Sequence, residues 1–329
     1  MSAPALPYRT AREPAHIVIP GDHPPHIADS PQLRRLDPHR VTVFTDLPGG
    51  LEEQVERASD ADVILNSRAQ VSWHEDSLRR LPKLALIATC SIGVDNIDLA
   101  VARELGILVC NQPGRTAPIV AEHAVALLMA VAKRAAFFTE SMRAGRWERM
   151  DNFYLNGKTL GVIGAGDIGG AVARLGRALG MDVVAWTPHP SPQRAERLEV
   201  RFLELDELLS TADAVSIHIK LTETTRGLIG ARELALMRPG TLLVNTARGP
   251  IVDAAALKAA LDSGHLGGAG LDVFTEEPLP ADDPLLSCEQ VVLTPHCADT
   301  TPEGVDLLNG GAVDNILAFL RGEPRNVVS

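Results

Sequence analysis

The stretch TLGVIGAGDIGGAVARLGRALGMDVVAW, residues 159–186, decides how the chain folds. Its opening reads as a strand, GAGDIG as a tight turn, the next dozen residues as an amphipathic helix, and DVVAW as a second strand. That is the full context a dinucleotide-binding loop requires. Within the helix Ile168, Val172, Leu175 and Leu179 recur at steps of four, three and four, so one face is expected to be buried. Gly164 allows the tight turn, Gly166 lets the backbone approach a pyrophosphate, and Gly169 lets the helix pack close to its strand. Amides at the helix N-terminus, Asp167 and Ile168 among them, then meet the phosphate charge. The acid expected to hold the adenosine ribose at the end of the second strand is absent. Trp186, Thr187, Pro188 and His189 stand there, with no carboxylate before Glu196. Thr187 can hydrogen-bond a ribose hydroxyl without repelling a 2′-phosphate, so NAD or NADP is accommodated. NAD is favoured because no Arg directly follows the strand. His189 and Arg194 read either as contacts to a 2′-phosphate or as solvated loop residues.

Outward from this loop, short apolar runs alternate with helical segments, the mark of βαβ units and parallel sheets. One series of strands is expected at 16–20, 40–46, 62–66, 84–90 and 107–111, a second at 159–164, 182–186, 214–219, 241–246, 268–274 and 291–295. Between them residues 118–134 are apolar nearly all round and read as a buried helix linking two domains. The chain has 329 residues, 45% of them apolar and 22% charged, which suits two globular domains and excludes collagen-like, coiled-coil and disordered classes. A net charge of −11 argues against a broad nucleic-acid or anionic-lipid footprint. The longest apolar run, residues 124–132, is too short to span a bilayer. The cysteines Cys90, Cys110, Cys288 and Cys297 form no CxxC pair, so no metal cluster or disulfide framework is expected and a reducing, cytoplasmic setting fits. Residues 1–14, MSAPALPYRTAREP, read as a loose leader.

Three further segments, NTARGPIVD from Asn245, GLDVFTEEP from Gly270 and LTPH from Leu293, follow the glycine loop in order. Together the four motifs resemble the D-isomer-specific 2-hydroxyacid dehydrogenase family over nearly the whole chain. The resemblance implies an α/β architecture of two doubly wound parallel-sheet domains. A Rossmann cofactor domain, residues 112–298, is inserted in a flavodoxin-like substrate domain formed by 1–111 and 299–329, with the site in the cleft between them. It implies Arg248, Glu277 and His296 as catalytic residues, Thr246, Ala247 and Asp272 beside the cofactor, and Ser91, Ile92 and Gly93 of CSIGVDNIDL, with Arg248, as binders of the substrate carboxylate. The family is usually homodimeric and needs no metal.

The chemistry accounts for these residue types. Reducing a 2-keto acid takes a hydride on the carbonyl carbon and a proton on its oxygen, and His296 is suited to deliver the proton. A carboxylate beside imidazole stabilises its protonated form and fixes the ring, the task given to Glu277. The planar fork of Arg248 suits carboxylate and carbonyl oxygens. Glyoxylate, hydroxypyruvate or a hydrophobic 2-keto acid are the candidate substrates. Where phosphoglycerate dehydrogenases of the family carry an Arg after the third strand, Asn66 stands, followed by Ser67 and Arg68. Cys297, Ala298 and Asp299 follow His296 where a small residue and Gly are usual. A reading from another class is a dinucleotide-binding co-repressor that captures peptides with little turnover. A formate-dehydrogenase-like reading is disfavoured by Glu277, where that branch has Gln.

Overall fold

The computed structural model describes residues 8 to 329. The chain forms two compact units, one built from residues up to Thr116 together with Thr301–Ser329, the other from Ala117–Thr300. The boundaries expected from the sequence lie at 111 and 298.

In the first unit, strands β1 (His16–Ile19), β2 (Arg40–Val43), β3 (Val63–Asn66), β4 (Leu86–Thr89) and β5 (Leu108–Cys110) form a parallel sheet in the order β2-β1-β3-β4-β5. Strands β1, β3 and β4 are buried at every position, as expected of a parallel sheet covered on both faces. One face packs on Leu308, Ala312, Val313, Ile316 and Phe319 of the helix Pro302–Leu320, the other on Val55, Leu78 and Val101 from three shorter helices. The part of the expected leader that is described is tied down. Arg12 Nε donates to Asp62 Oδ1 at 2.9 Å and the Arg9 amide to the Gly106 carbonyl at 2.9 Å. Residues 1–7 lie outside the described residues.

The C-terminal ends of β1 and β3 are joined by Asp22, which is fully buried. Its Oδ2 accepts the amides of His26, Ile27 and Ala28 at 3.0, 3.0 and 2.9 Å, and its Oδ1 accepts the Ser67 hydroxyl at 2.6 Å. Asn66 is likewise engaged, its Nδ2 donating to the Val71 carbonyl at 2.9 Å. Arg68 and Ala69 follow with φ of 46° and 54°, a left-handed pair that L residues adopt only where neighbours hold them.

The second unit contains β6 (Thr159–Ile163), β7 (Asp182–Trp186), β8 (Arg201–Phe202), β9 (Ala214–Ile217), β10 (Thr241–Asn245), β11 (Leu266–Leu271) and β12 (Val291–Leu293), all parallel, in the order β12-β11-β10-β9-β6-β7-β8. The strand order reverses between β6 and β9, the switch point where open α/β sheets bind ligands. Strand β8 escaped the sequence reading because two residues carry no periodicity. The expected linking helix is the helix Ala117–Ala132; it belongs to the second unit, packing on the helix Asp167–Ala178, β10 and β11. Arg134, with φ of 50°, separates it from the helix Ala135–Arg143.

On the helix Asp167–Ala178 the expected face packs on the core, and small residues make its deepest contacts. Its deeply buried residues are Gly169, Ala171, Val172, Ala173 and Gly176, while Ile168, Leu175 and Leu179 are only partly buried at the flanks. The small residues let the helix come close to β6: a Cβ on Gly176 would stand 2.6 Å from the Leu160 side chain. Among the described residues no helix is long and apolar enough to cross a membrane.

Replacing Asp22 tests what its carboxylate holds together. Asp22→Ala leaves three amides and a hydroxyl without their acceptor and should cost roughly 3 kcal/mol of stability, read by urea denaturation. Asp22→Asn should cost less, and an Ala variant as stable as wild type would contradict the assignment.

Candidate active site

The register of the second sheet sets Trp186, Ile163, Ile217, Asn245, Leu271 and Leu293 opposite one another in a single row. One residue further along each strand lie Thr187, Gly164, His218, Thr246, Asp272 and Thr294. Four of the six were singled out from sequence; His218 and Thr294 were not.

Gly164 has φ of 99°, and a Cβ there would stand 2.6 Å from the backbone of His218. Gly169 is closer still, since its Cβ would sit 1.9 Å from the Gly164 carbonyl oxygen. Gly166 is the opposite case: nothing lies within 4 Å of its Cβ position, and as N-cap it brings no side chain to the amides of the first turn, where Asp167 and Ile168 follow. Nearby in the row, Thr246 Oγ1 and His218 Nδ1 are buried without a hydrogen-bond partner among the described residues. Open space, uncapped amides and two unspent buried polar atoms are what a polar, phosphate-bearing ligand would complete, so these residues fit a nicotinamide dinucleotide. His218 Nε2 is 2.8 Å from Ser216 Oγ, and burial pushes its pKa down to about 3, so the ring is neutral. A lone histidine in sequence gave no sign of this; its place one residue past a strand is the usable signal. Thr187 is buried at the end of β7, while Arg194 Nη1 donates to the His189 carbonyl at 3.1 Å.

Arg248, Glu277 and His296 follow three adjacent strands. The loop of Arg248 is shaped by Asn245, whose Nδ2 donates to the Arg248 carbonyl at 2.9 Å and whose Oδ1 accepts the Ala247 amide at 3.0 Å. Arg248 Nη1 donates to the Ala247 carbonyl at 2.8 Å. At Gly249 a Cβ would stand 2.0 Å from the Phe274 carbonyl carbon, so only glycine lets the loops after β10 and β11 come this close. Glu277 Oε1 accepts the Phe274 amide at 2.9 Å, and Oε2 is 2.6 Å from His296 Nδ1. Burial alone would raise the Glu277 carboxyl. The hydrogen bonds from His296 and the Phe274 amide, with the charge of Arg248, outweigh it and hold the carboxyl below the usual carboxylate range. Glu277 is therefore ionised at neutral pH, with His296 about half exposed beside it.

Asp272 is 1% exposed and is spent on the segment that carries His296. Its Oδ1 accepts the Thr294 hydroxyl at 2.6 Å and the Cys297 amide at 2.9 Å, and its Oδ2 accepts the Ala298 amide at 3.0 Å. Burial opposes its charge, but His123, Thr294 and the Cys297 amide together lower its pKa. His123, Asp272 and Cys297 bring nitrogen, oxygen and sulfur within 4.8 Å of one another. With its oxygens already engaged, Asp272 makes this a hydrogen-bonded network rather than a ligand set.

In the first unit Ser91, Ile92 and Gly93 follow β4. Their carbonyls accept from the Gln112 amide, Asn111 Nδ2 and Ser91 Oγ at 2.9, 2.7 and 2.6 Å. Their three amides donate to no described residue, so the loop presents donors of the kind an anion takes.

The model of the family described as D-isomer specific 2-hydroxyacid dehydrogenase, NAD binding domain, matches residues 125–298. A glyoxylate reductase of Korarchaeum cryptofilum is 39% identical over 282 residues, 84% of this chain and 85% of that protein. A D-3-phosphoglycerate dehydrogenase of Archaeoglobus fulgidus is 40% identical over 267 residues, 80% of this chain but 50% of its own length, so the chain spans about half of that relative. Among solved structures the TT0316 protein of Thermus thermophilus superposes with a TM-score of 0.86 at 37% identity, covering 95% of this chain and 100% of that one.

Two glycines separate packing from ligand approach. Gly169→Ala should lower stability by about 1–3 kcal/mol, seen as a lower Tm. Gly166→Ala should leave Tm unchanged and weaken NADH binding roughly tenfold or more, followed by nicotinamide fluorescence. Unchanged NADH affinity in a folded Gly166→Ala protein would count against the loop assignment.

Proposed function

The chain belongs to the D-isomer-specific 2-hydroxyacid dehydrogenase family, and on that premise we propose that it interconverts a small 2-keto acid and the D-2-hydroxy acid with NAD(H) or NADP(H), NAD(H) preferred. The observation that carries this reading is the Glu277 carboxylate 2.6 Å from His296, in a protein whose neighbouring loop fits a dinucleotide. Hydride donation and acceptance are the chemistry a bound nicotinamide supplies. His296 gives its proton to the substrate carbonyl oxygen in reduction and takes the hydroxyl proton in oxidation. Glu277, ionised at neutral pH, holds the ring by Nδ1 and leaves Nε2 for substrate. Arg248 binds the substrate carboxylate and stabilises negative charge growing on the carbonyl oxygen. The amides of Ser91, Ile92 and Gly93, which donate to no described residue, are assigned to carboxylate binding as well. Glyoxylate, hydroxypyruvate and hydrophobic 2-keto acids head the substrate candidates. Asn66 and Ser67 are committed to internal hydrogen bonds, and a dianionic phosphate wants several free donors there.

Homodimer formation through the second unit is supported by its large exposed apolar side chains, Trp147 at 75%, Tyr154 at 69% and Met142 at 60% exposure. Four free cysteines, with Cys90 and Cys110 pushed up to about 12 by burial, suit the cytoplasm.

The direct test is a panel of 2-keto acids offered with NADH and NADPH, following loss of the reduced-nicotinamide absorbance. Turnover of at least one member, faster with NADH, is expected; no consumption with any of them would overturn the reading. A second experiment addresses Glu277. Its carboxyl stays ionised to below the usual carboxylate range, so it stabilises the protonated imidazole wherever His296 works. Reduction needs that protonated form and fades as pH rises. In Glu277→Gln the fade should set in at lower pH, while oxidation should begin at lower pH, each pH unit of displacement reporting about 1.4 kcal/mol of coupling. Profiles that overlay those of wild type would refute the pairing.

A further inference from the structure

His123 sits on the helix Ala117–Ala132, far in sequence from the segment around His296. Its Nε2 lies 3.0 Å from Thr294 Oγ1 and 3.5 Å from Asp272 Oδ1. The direction of these bonds follows from the carboxylate outward. An ionised Asp272 only accepts, so the Thr294 hydroxyl gives it its single proton across 2.6 Å. With that proton committed, Thr294 Oγ1 can only accept from His123, and Nε2 must carry a hydrogen. The result is a one-way chain, His123 to Thr294 to Asp272, ending in a carboxylate that is 1% exposed.

That carboxylate also accepts the amides of Cys297 and Ala298, the two residues after His296. On the other side the His296 amide donates to the Thr294 carbonyl at 3.0 Å. His296 itself has φ of 50°, a conformation a side-chain-bearing residue keeps only when its surroundings impose it. Its backbone is therefore gripped through Thr294 before it and Asp272 after it, and His123 completes the hydrogen bonding of Thr294 while standing 3.5 Å from Asp272.

We propose that His123 is a positioning residue for the reaction, supplying the last donor of a network that holds the His296 segment in its left-handed shape. The proposal rests on the reading of His296 as the acid-base group. Among the described residues, the charged groups seen against the His296 segment are Glu277 at its Nδ1, Arg248 through Glu277, and Asp272 at the two amides that follow. His123 touches none of the reacting atoms and acts by geometry: without its donor, Thr294 is released to turn, Asp272 loses a partner, and the pairing of His296 with Glu277 loosens.

The test compares His123→Ala, His123→Gln, whose amide keeps a donor at similar reach, and Thr294→Val, which cuts the chain at its middle link with little change of shape. In the full-length enzyme, His123→Ala and Thr294→Val should lower kcat for reduction roughly tenfold, with a much smaller change in KM for the 2-keto acid. In both, the fall of reduction with rising pH should begin at lower pH. His123→Gln should restore the wild-type profile. Histidine-labelled apoprotein gives a readout that needs no turnover: the His296 ring resonance should be single and sharp in wild type and His123→Gln, and broadened or split in the other two. A folded His123→Ala or Thr294→Val protein with wild-type kcat, pH profile and His296 resonance would overturn the proposal, as would a folded His123→Gln protein no better than His123→Ala. A wild-type protein inactive on every 2-keto acid would instead sink the reading of the reaction, leaving the resonance experiment to decide the role of His123.

Discussion

Parallel pairing in the second unit sets the ends of six strands level, with Trp186, Ile163, Ile217, Asn245, Leu271 and Leu293 in one row. The glycine turn and the loops of Arg248, Glu277 and His296 hang from this row. A strand slipped by one residue would turn its next side chain to the opposite face of the sheet, so the glycine turn, the buried Thr246 and Asp272, and the loops of Arg248 and His296 are placed by backbone hydrogen bonding before any side chain acts. The cost of slipping is high because the strands are buried on both faces: all five residues of β10 are buried, as are all four of β9.

Each unit then uses a buried carboxylate to finish what the sheet begins. Asp22 gathers three amides and a hydroxyl at the end of β1, and Asp272 gathers two amides and a hydroxyl at the end of β11. Such a group is expensive to bury and tolerable only when its acceptor capacity is filled. The same demand makes it an effective organiser of loops, which have no ladder of their own. Glu277 works differently. It lies nearer solvent, with one oxygen on the backbone of its own loop and the other on His296.

The fold was legible in the sequence wherever spacing carried the information. The glycine loop and the two strand series could be read because apolar runs and turn residues recur at the intervals a parallel sheet requires, whereas the return of residues 299–329 to the first unit came from the family resemblance alone. The two-residue strand β8 could not, nor could the closest approach of the helix Asp167–Ala178, which glycines and alanines make. At the candidate site, Arg248, Glu277 and His296 stood out through their motifs, and the structure brings Glu277 and His296 together. His123 was invisible because its partner Thr294 lies 171 residues away. His218 was passed over as a lone histidine, and nothing in its neighbours' side chains announces that its ring would be buried and neutral.

The first unit is interrupted: its sheet is complete by Cys110, yet the helix that covers one face begins at Pro302. The second unit is one continuous stretch. A ribosome making this chain therefore releases all the strands of the second unit before the first can close its core, since domains fold as units while the chain emerges. Until Leu308, Ala312, Val313, Ile316 and Phe319 arrive, the faces of Ile17, Leu65 and Ala88 that they cover have no helix to pack against. The strands of the first unit are thus made before those of the second and covered after them.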